Sequence, residues 1–250
     1  LRPEGNCRVC LVQIEGARSL AASCVHPVAE GMVVHTHTPA VRDARKMVVE
    51  LLLANHPADC LACERNGDCE LQQMAAELGL RQVRFEGERR RGEKDAANPS
   101  LVRDPEKCIL CGRCIRACSD VQGVHVYSFA KRGFYAEVTP AFGAGLDAAA
   151  CTYCGRCAAV CPTAAITIKN DTAPVWEALA DAGKHVVVQT APAVRVALGE
   201  ALGLPAASIV TGKMVAALRR LGFDKVFDTD FAADVTIMEE GNELLQRIKE

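Results

Sequence analysis

Cys108-Ile-Leu-Cys111-Gly112-Arg113-Cys114, closed by Cys118, returns further on as Cys151-Thr-Tyr-Cys154-Gly155-Arg156-Cys157, closed by Cys161. Cysteines two residues apart are poorly placed to bridge each other but well placed to converge on one metal centre. A run of four thiolates at this spacing is what a [4Fe–4S] cube requires, and three of the four can come from a loop folded round it. Gly112 and Gly155 let that loop turn tightly and aim N–H groups at sulfur, which stabilises the reduced, more negative state. A pair of zinc knuckles is the competing reading. Two complete runs favour iron.

Where two such runs share one domain, the fourth cysteine of each crosses to the other cluster. On that rule Cys108, Cys111, Cys114 and Cys161 hold one cube, and Cys151, Cys154, Cys157 and Cys118 hold the other. Pro162 follows the second run, as in the bacterial pattern, whereas Ser119 stands after the first. Upstream, His56, Cys60, Cys63 and Cys69 offer one imidazole and three thiolates. Spacing alone suits zinc as well as iron there; the neighbouring runs tilt it to iron. An imidazole ligand removes one negative charge and raises the potential relative to an all-thiolate site. Cys7, Cys10 and Cys24 are one thiolate short of a [2Fe–2S] site. The fourth ligand is expected before Leu1, so the chain reads as a fragment with any leader lost from view. The alternative is two structural thiols and a core cysteine.

The other histidines are less informative. His35 and His37 share one face of a short strand and are expected in solvent, and His26, His125 and His185 have no ligand context. Gly212-Lys213 lacks the glycine and hydroxyl residue that a phosphate loop needs, with Ala207 and Met214 in their places. No Gly-x-Gly-x-x-Gly occurs, so the chain does not carry a dinucleotide fingerprint.

The elements that must position these thiols follow from pattern. Residues 1–35 read as a loop and short strands. Thr38 caps a helix with Pro39 at its first position, Val41, Ala44, Val48 and Leu51 recur at helical spacing, and Pro57 stops it. A second helix after Cys69 carries Leu71, Met74, Ala75 and Leu78 and ends at Gly79. Residues 86–99 mix both charge signs with glycine and read as a solvated linker, with a docking patch as the alternative. A hairpin is expected between Val124 and Val138. Beyond Pro174 the pattern changes to His185–Val188 as a buried strand, Ala193–Leu202 as a helix, a helix capped by Thr211, a strand at Val226-Phe227 and an amphipathic helix from Ala233 to Lys249. Strands alternating with helices start an α/β domain.

The expected fold is therefore α+β and multidomain: a [2Fe–2S] ferredoxin-like remnant at 1–35, a His/Cys3 cluster domain at 36–85, a two-cluster ferredoxin-like domain at 98–170, and the start of a further α/β domain at 174–250. The 14 cysteines belong to a reducing compartment, so a cytoplasmic protein is expected. A net charge of −2 argues for neither nucleic acid nor an anionic membrane surface. No apolar run reaches a membrane span; the best, Met47 to Ala54, is broken by Glu50.

Four cluster motifs in this order resemble the N-terminal part of multi-cluster [FeFe] hydrogenases. The first two in the same order also resemble the large iron–sulfur subunit of complex I and the N-terminal extension of NAD-linked formate dehydrogenases. Three later stretches are similar to the opening of the hydrogenase catalytic domain: Val186 through Thr190-Ala191-Pro192-Ala193 to Glu200, Thr211-Gly212-Lys213-Met214 through Leu221 to Asp228, and Ala233 to Glu240. The resemblance implies three [4Fe–4S] clusters and one [2Fe–2S] cluster here, with an H-cluster in the parent enzyme. It implies 2H⁺ + 2e⁻ ⇌ H2 as the parent's reaction, with ferredoxin or flavin-bearing NAD(P)H-oxidising subunits as partners. Ala191, Pro192 and Ala193 would line the di-iron pocket. No H-cluster cysteine lies in this sequence, so the fragment alone is expected to be inactive. A non-catalytic electron-transfer subunit is the other reading.

Overall fold

The computed structural model describes residues 1–249, and the chain divides into two units after Lys169. In the first unit, strand β1 (Leu11–Ile14) lies between β2 (Ala21–Ala22) and β3 (Val34–His35), antiparallel to both. Val12 and Ile14 are buried and Gln13 is exposed, the alternation a half-buried strand requires. Pairing of Leu11 with Ala22 brings Cys10 beside the segment leading to Cys24, and the Ser23 N–H donates to the Cys10 carbonyl at 3.1 Å.

Helix α1 (Pro39–Ala54) begins as its sequence dictates: Thr38 Oγ1 accepts from the Val41 N–H and Pro39 occupies the first turn. Val41 and Val49 face the core, and Glu50 is buried with them. The cysteine loop follows, and α2 (Glu70–Glu77) then packs against α1 through Leu71. Glu50 has a partner beyond α2. It accepts from the Arg84 backbone N–H (2.8 Å) and from both Nε (2.8 Å) and Nη2 (2.6 Å) of its guanidinium, which ties residues 80–84 back onto α1.

Strand β4 (Leu101–Arg103), helix α3 (Arg113–Arg116), strands β5 (Ser128–Ala130) and β6 (Glu137–Thr139), helix α4 (Arg156–Ala159) and strand β7 (Ile166–Ile168) follow. β4 pairs antiparallel with β7, and β5 with β6. Their common core is Leu101, Tyr127, Val138, Leu146, Ala165 and Ile166, together with Cys114, Cys157 and Cys161. Candidate ligands are thus part of the hydrophobic core.

Residues 86–99 are not a free linker. The Arg90 N–H donates to Asn55 Oδ1 (2.8 Å), and its guanidinium donates to the Ala136 and Cys108 carbonyls. Asn98 is fully buried, and its side chain accepts from the Ser100 and Leu101 N–H groups and donates to the Leu146 carbonyl. Backbone donors with no helix or sheet partner found them here, which makes the segment a strap.

The second unit has α5 (Thr172–Ala180), β8 (Val187–Thr190), α6 (Pro192–Ala201), α7 (Thr211–Leu221), β9 (Lys225–Asp228) and α8 (Thr229–Lys249). β8 and β9 run parallel, with Val188 opposite Val226, and two helices make the connection, as parallel pairing demands. Four expectations need correction. The strand begins at Val187, and only Thr190 in it is buried. Thr211 is the first helical residue rather than the cap, which is Val210. The last helix starts at Thr229 and buries no residue. α5 was not expected at all.

Candidate metal centres

The two cysteine runs share one backbone. Leu110 and Tyr153 both have φ of 55°, and Gly112 and Gly155 follow at 70° and 72°. The Leu110 N–H points to Cys108 Sγ and the Tyr153 N–H to Cys151 Sγ, each at 3.4 Å. A left-handed leucine or tyrosine costs about 1–2 kcal/mol; strain of this kind gathers at ligand clamps. Repetition of the strain, residue for residue, marks both loops as built around the same object.

Cys108, Cys111, Cys114 and Cys161 line one cavity, closed by Ile109, Val138, Ala165 and Ile166. The cause is sheet register. β4 leads into the first run and β7 leaves the second, so pairing Arg103 with Ile166 carries Cys161 to the first loop. Cys118 lies on the π-helical turn Ala117–Val121 after α3, an irregularity common at functional sites. The Val126 N–H donates to its sulfur at 3.2 Å, and the next residue, Tyr127, places its hydroxyl 3.9 Å from Cys157 Sγ. Cys151 and Cys154 add to the electrostatic field at Cys157.

Burial pushes the Cys108, Cys111, Cys114 and Cys157 thiols up, Cys111 and Cys157 to about 11. As bare thiols they hold their protons at neutral pH, so metal loading releases protons. Among the described residues no three His, Cys, Asp or Glu side chains close on a single ion. Zinc needs its ligands about 2.0–2.3 Å from one point, whereas an iron–sulfur core takes its thiolates on separate irons. Four thiolates spread round an apolar cavity fit the second.

His56 is buried, and its Nδ1 has no hydrogen-bond partner. Burial moves its pKa down, so the ring is neutral, as a ligand must be. Cys60 opens a 3₁₀ turn with Ala62, the Cys63 N–H closes onto the Cys60 carbonyl (3.2 Å), and Cys69 precedes α2. An orphaned buried ring nitrogen and three free thiols within fourteen residues of sequence suit a ligated cluster.

Cys10 and Cys24 perturb each other's ionisation, and Cys7 acts on Cys24 as well. Burial opposes ionisation of Cys10, but hydrogen bonds from Cys24 and Ser23 outweigh it and bring this thiol down. Cys7 and Cys111 line one further cavity with Leu71, Met74 and Ile109. The Glu70 N–H, next to Cys69, donates to the carbonyl of Pro162, next to Cys161 (3.0 Å). Both outer sets therefore border the Cys108 set, which makes a fork.

Arg113 grips Glu70 with both amino groups, and the buried Arg116 grips Glu4. Neither arginine, nor Tyr127 or Lys107, stands out in the sequence; the repeated Gly-Arg is the one signal, and it points only to Arg113. The His35 side chain is solvent-exposed as expected and is hydrogen-bonded at the surface to Glu15 at 2.8 Å. Pro192 and Ala193 are exposed on the first turn of α6, in a unit without cysteine. Among the described residues no helix is long and apolar enough to cross a membrane.

Residues 1–39 match the 2Fe-2S iron-sulfur cluster binding domain, and residues 45–84 the NADH-ubiquinone oxidoreductase-G iron-sulfur binding region. Residues 107–165 match the 4Fe-4S dicluster domain, and residues 184–250 the C-terminal domain of the iron-only hydrogenase large subunit. The chain is 53% identical over 243 residues to NADP-reducing hydrogenase subunit HndD of Solidesulfovibrio fructosivorans, which is 97% of this chain and 42% of that protein. It is 36% identical to iron hydrogenase 1 of Clostridium pasteurianum, again over 97% of this chain and 42% of the relative. An NADH-quinone oxidoreductase subunit of Rhizobium meliloti is 38% identical over 168 residues, 66% of this chain and 19% of that one. A chain in the crystal structure of an NAD+-reducing [NiFe]-hydrogenase in the H2-reduced state superposes with a TM-score of 0.63 at 31% identity, over 67% of this chain and 71% of that one.

Proposed function

We propose that the chain belongs to the iron-only hydrogenase large-subunit family, and that it is the electron-transfer arm of a hydrogenase together with the first part of its catalytic domain. Iron–sulfur clusters supply one-electron chemistry when bound; holding, spacing and tuning them falls to the residues. Cys108, Cys111, Cys114 and Cys161 hold one [4Fe–4S] cluster, Cys151, Cys154, Cys157 and Cys118 a second, and His56, Cys60, Cys63 and Cys69 a third. Cys7, Cys10 and Cys24 serve a [2Fe–2S] cluster. The domain limits 1–35, 36–85, 98–170 and 174–250 belong to the same reading, as do Pro192 and Ala193 lining an H-cluster pocket in the parent.

The observation that carries the proposal is the cavity ringed by Cys108, Cys111, Cys114 and Cys161, four thiolates from two distant runs. The parent reaction is 2H⁺ + 2e⁻ ⇌ H2, with electrons exchanged with ferredoxin or with flavin-bearing, NAD(P)H-oxidising subunits. HndD, named as part of an NADP-reducing hydrogenase, supports the second partner. The chain spans 42% of the length of that relative. In a protein of the relative's length, Cys161→Ser should abolish hydrogen turnover driven by NAD(P)H or ferredoxin while a small dye still reaches the hydrogen-activating site. Unchanged NAD(P)H-driven and ferredoxin-driven turnover overturns the proposal. The likeness to the NADH-quinone oxidoreductase component, over 66% of the chain, favours a non-catalytic electron carrier, whereas the hydrogenase match at 184–250 favours the first reading.

A further inference from the structure

We propose that Lys107 sets the reduction potential of the centre held by His56, Cys60, Cys63 and Cys69, an inference that rests on that ligand set. Lys107 comes from outside the His/Cys3 loop, immediately before Cys108. Its backbone is pinned: the N–H donates to the Asp104 carbonyl (3.2 Å), and the carbonyl accepts from Thr163 Oγ1 (2.8 Å). From that anchor the side chain, only 13% exposed, reaches back to the loop. Its ammonium lies 3.0 Å from Asp59 Oδ2 and 3.6 Å from Cys63 Sγ.

The sulfur contact separates this residue from an ordinary ion pair. Cys108, Cys118 and Cys151 receive hydrogen bonds from backbone N–H groups, and Cys157 from a phenol. Among the described residues Lys107 is the charged donor on a candidate ligand sulfur. Reduction adds one negative charge to a cluster. A cation within hydrogen-bonding reach, screened little where solvent is scarce, favours that added charge. The imidazole of His56 acts in the same direction by replacing an anionic ligand. Lys107 and His56 together make this centre the easier of the [4Fe–4S] sites to reduce, and Asp59 keeps the ammonium in place.

The test is a potentiometric titration of the full, anaerobically reconstituted chain, followed by electron paramagnetic resonance. Nitrogen hyperfine coupling identifies the His56-ligated centre, because no other proposed ligand contains nitrogen. In Lys107→Met the midpoint of that centre should move to more negative potential while the others stay in place. Lys107→Gln, which keeps a donor without charge, should move it less, and Lys107→Arg should leave it near the wild-type value. Iron and sulfide per chain serve as the control for loading. A nitrogen-coupled centre with an unmoved midpoint in both the Met and Gln variants overturns the proposal and leaves Lys107 as no more than the partner of Asp59. A common drift of all centres overturns it too, because it reports general loosening. A wild-type chain that loads iron yet shows no nitrogen-coupled centre refutes the ligand set itself and takes this inference with it.

Discussion

Tyr127→Phe separates a hydrogen bond from the packing around it. The ring is 4% exposed and sits in the core with Cys114, Cys157 and Cys161, so phenylalanine keeps the shape and loses only the hydroxyl. Burial first, then the Cys157 thiol, pushes the phenol well above its ordinary range, so it is a donor at any working pH. A ligated thiolate can only accept. At 3.9 Å to sulfur the bond is long, so its preference for the reduced cluster is at most about 1 kcal/mol. At ~59 mV for each tenfold, or ~1.4 kcal/mol, of a one-electron equilibrium, removing it lowers the midpoint of the Cys151–Cys157 centre by about 40 mV or less. The assay is a redox titration of wild type and variant at matched iron content. A midpoint that rises, or a fall confined to the Cys108 centre, would rule out a Tyr127 hydrogen bond to the reduced Cys157 centre.

The crossed ligand sets predict that Cys161→Ser perturbs the spectrum of the centre in the Cys108 loop and Cys118→Ser that of the Cys151 loop; the reverse pattern, seen by Mössbauer or paramagnetic resonance, contradicts the crossing. Gly155→Ala, with φ at 72° and only Ile168 Cδ1 nearby at 3.7 Å, should destabilise by about 1–2 kcal/mol. Gly112→Ala should cost more, because the new methyl meets Arg116 Nη1 and Asn6 Nδ2 at 3.0 Å; denaturant midpoints read from visible absorbance rank the two. Glu50 falls from an ordinary 4.5 to about 2, chiefly through Arg84. Its contribution is therefore full above pH 4.5 and is lost as pH falls through about 2. Glu50→Gln should speed amide exchange at Arg84 at neutral pH, where the wild type stays protected.

What could be read from sequence was what is local or repeated. Thr38 and Pro39 start α1 because cap and first turn are set within four residues, and the ferredoxin-like runs announce themselves by duplication. α5 is hidden in the sequence because Pro174 reads as a boundary, although proline is tolerated in a first turn, where its missing N–H has no partner to lose. Thr211 looked like a cap, but the Met214 N–H bonds the Val210 carbonyl, which moves the first turn back by one residue. The three-residue pairing of β4 with β7 leaves no periodic trace, yet its register decides where Cys161 goes. The fork between Cys7 and Cys111, the strap at Arg90 and the reach of Lys107 are tertiary contacts between segments far apart in the chain. Spacing rules describe ligands within a loop and are silent about neighbours from elsewhere.

The central claim is that these thiols hold polynuclear iron. Iron and acid-labile sulfide, measured on the anaerobically prepared chain, test it most directly. Three cubes predict about 12 irons, and about 14 where the fourth ligand of the two-iron centre is also present, with a matching number of sulfides and brown visible absorption. A colourless chain carrying zinc without sulfide would contradict the account.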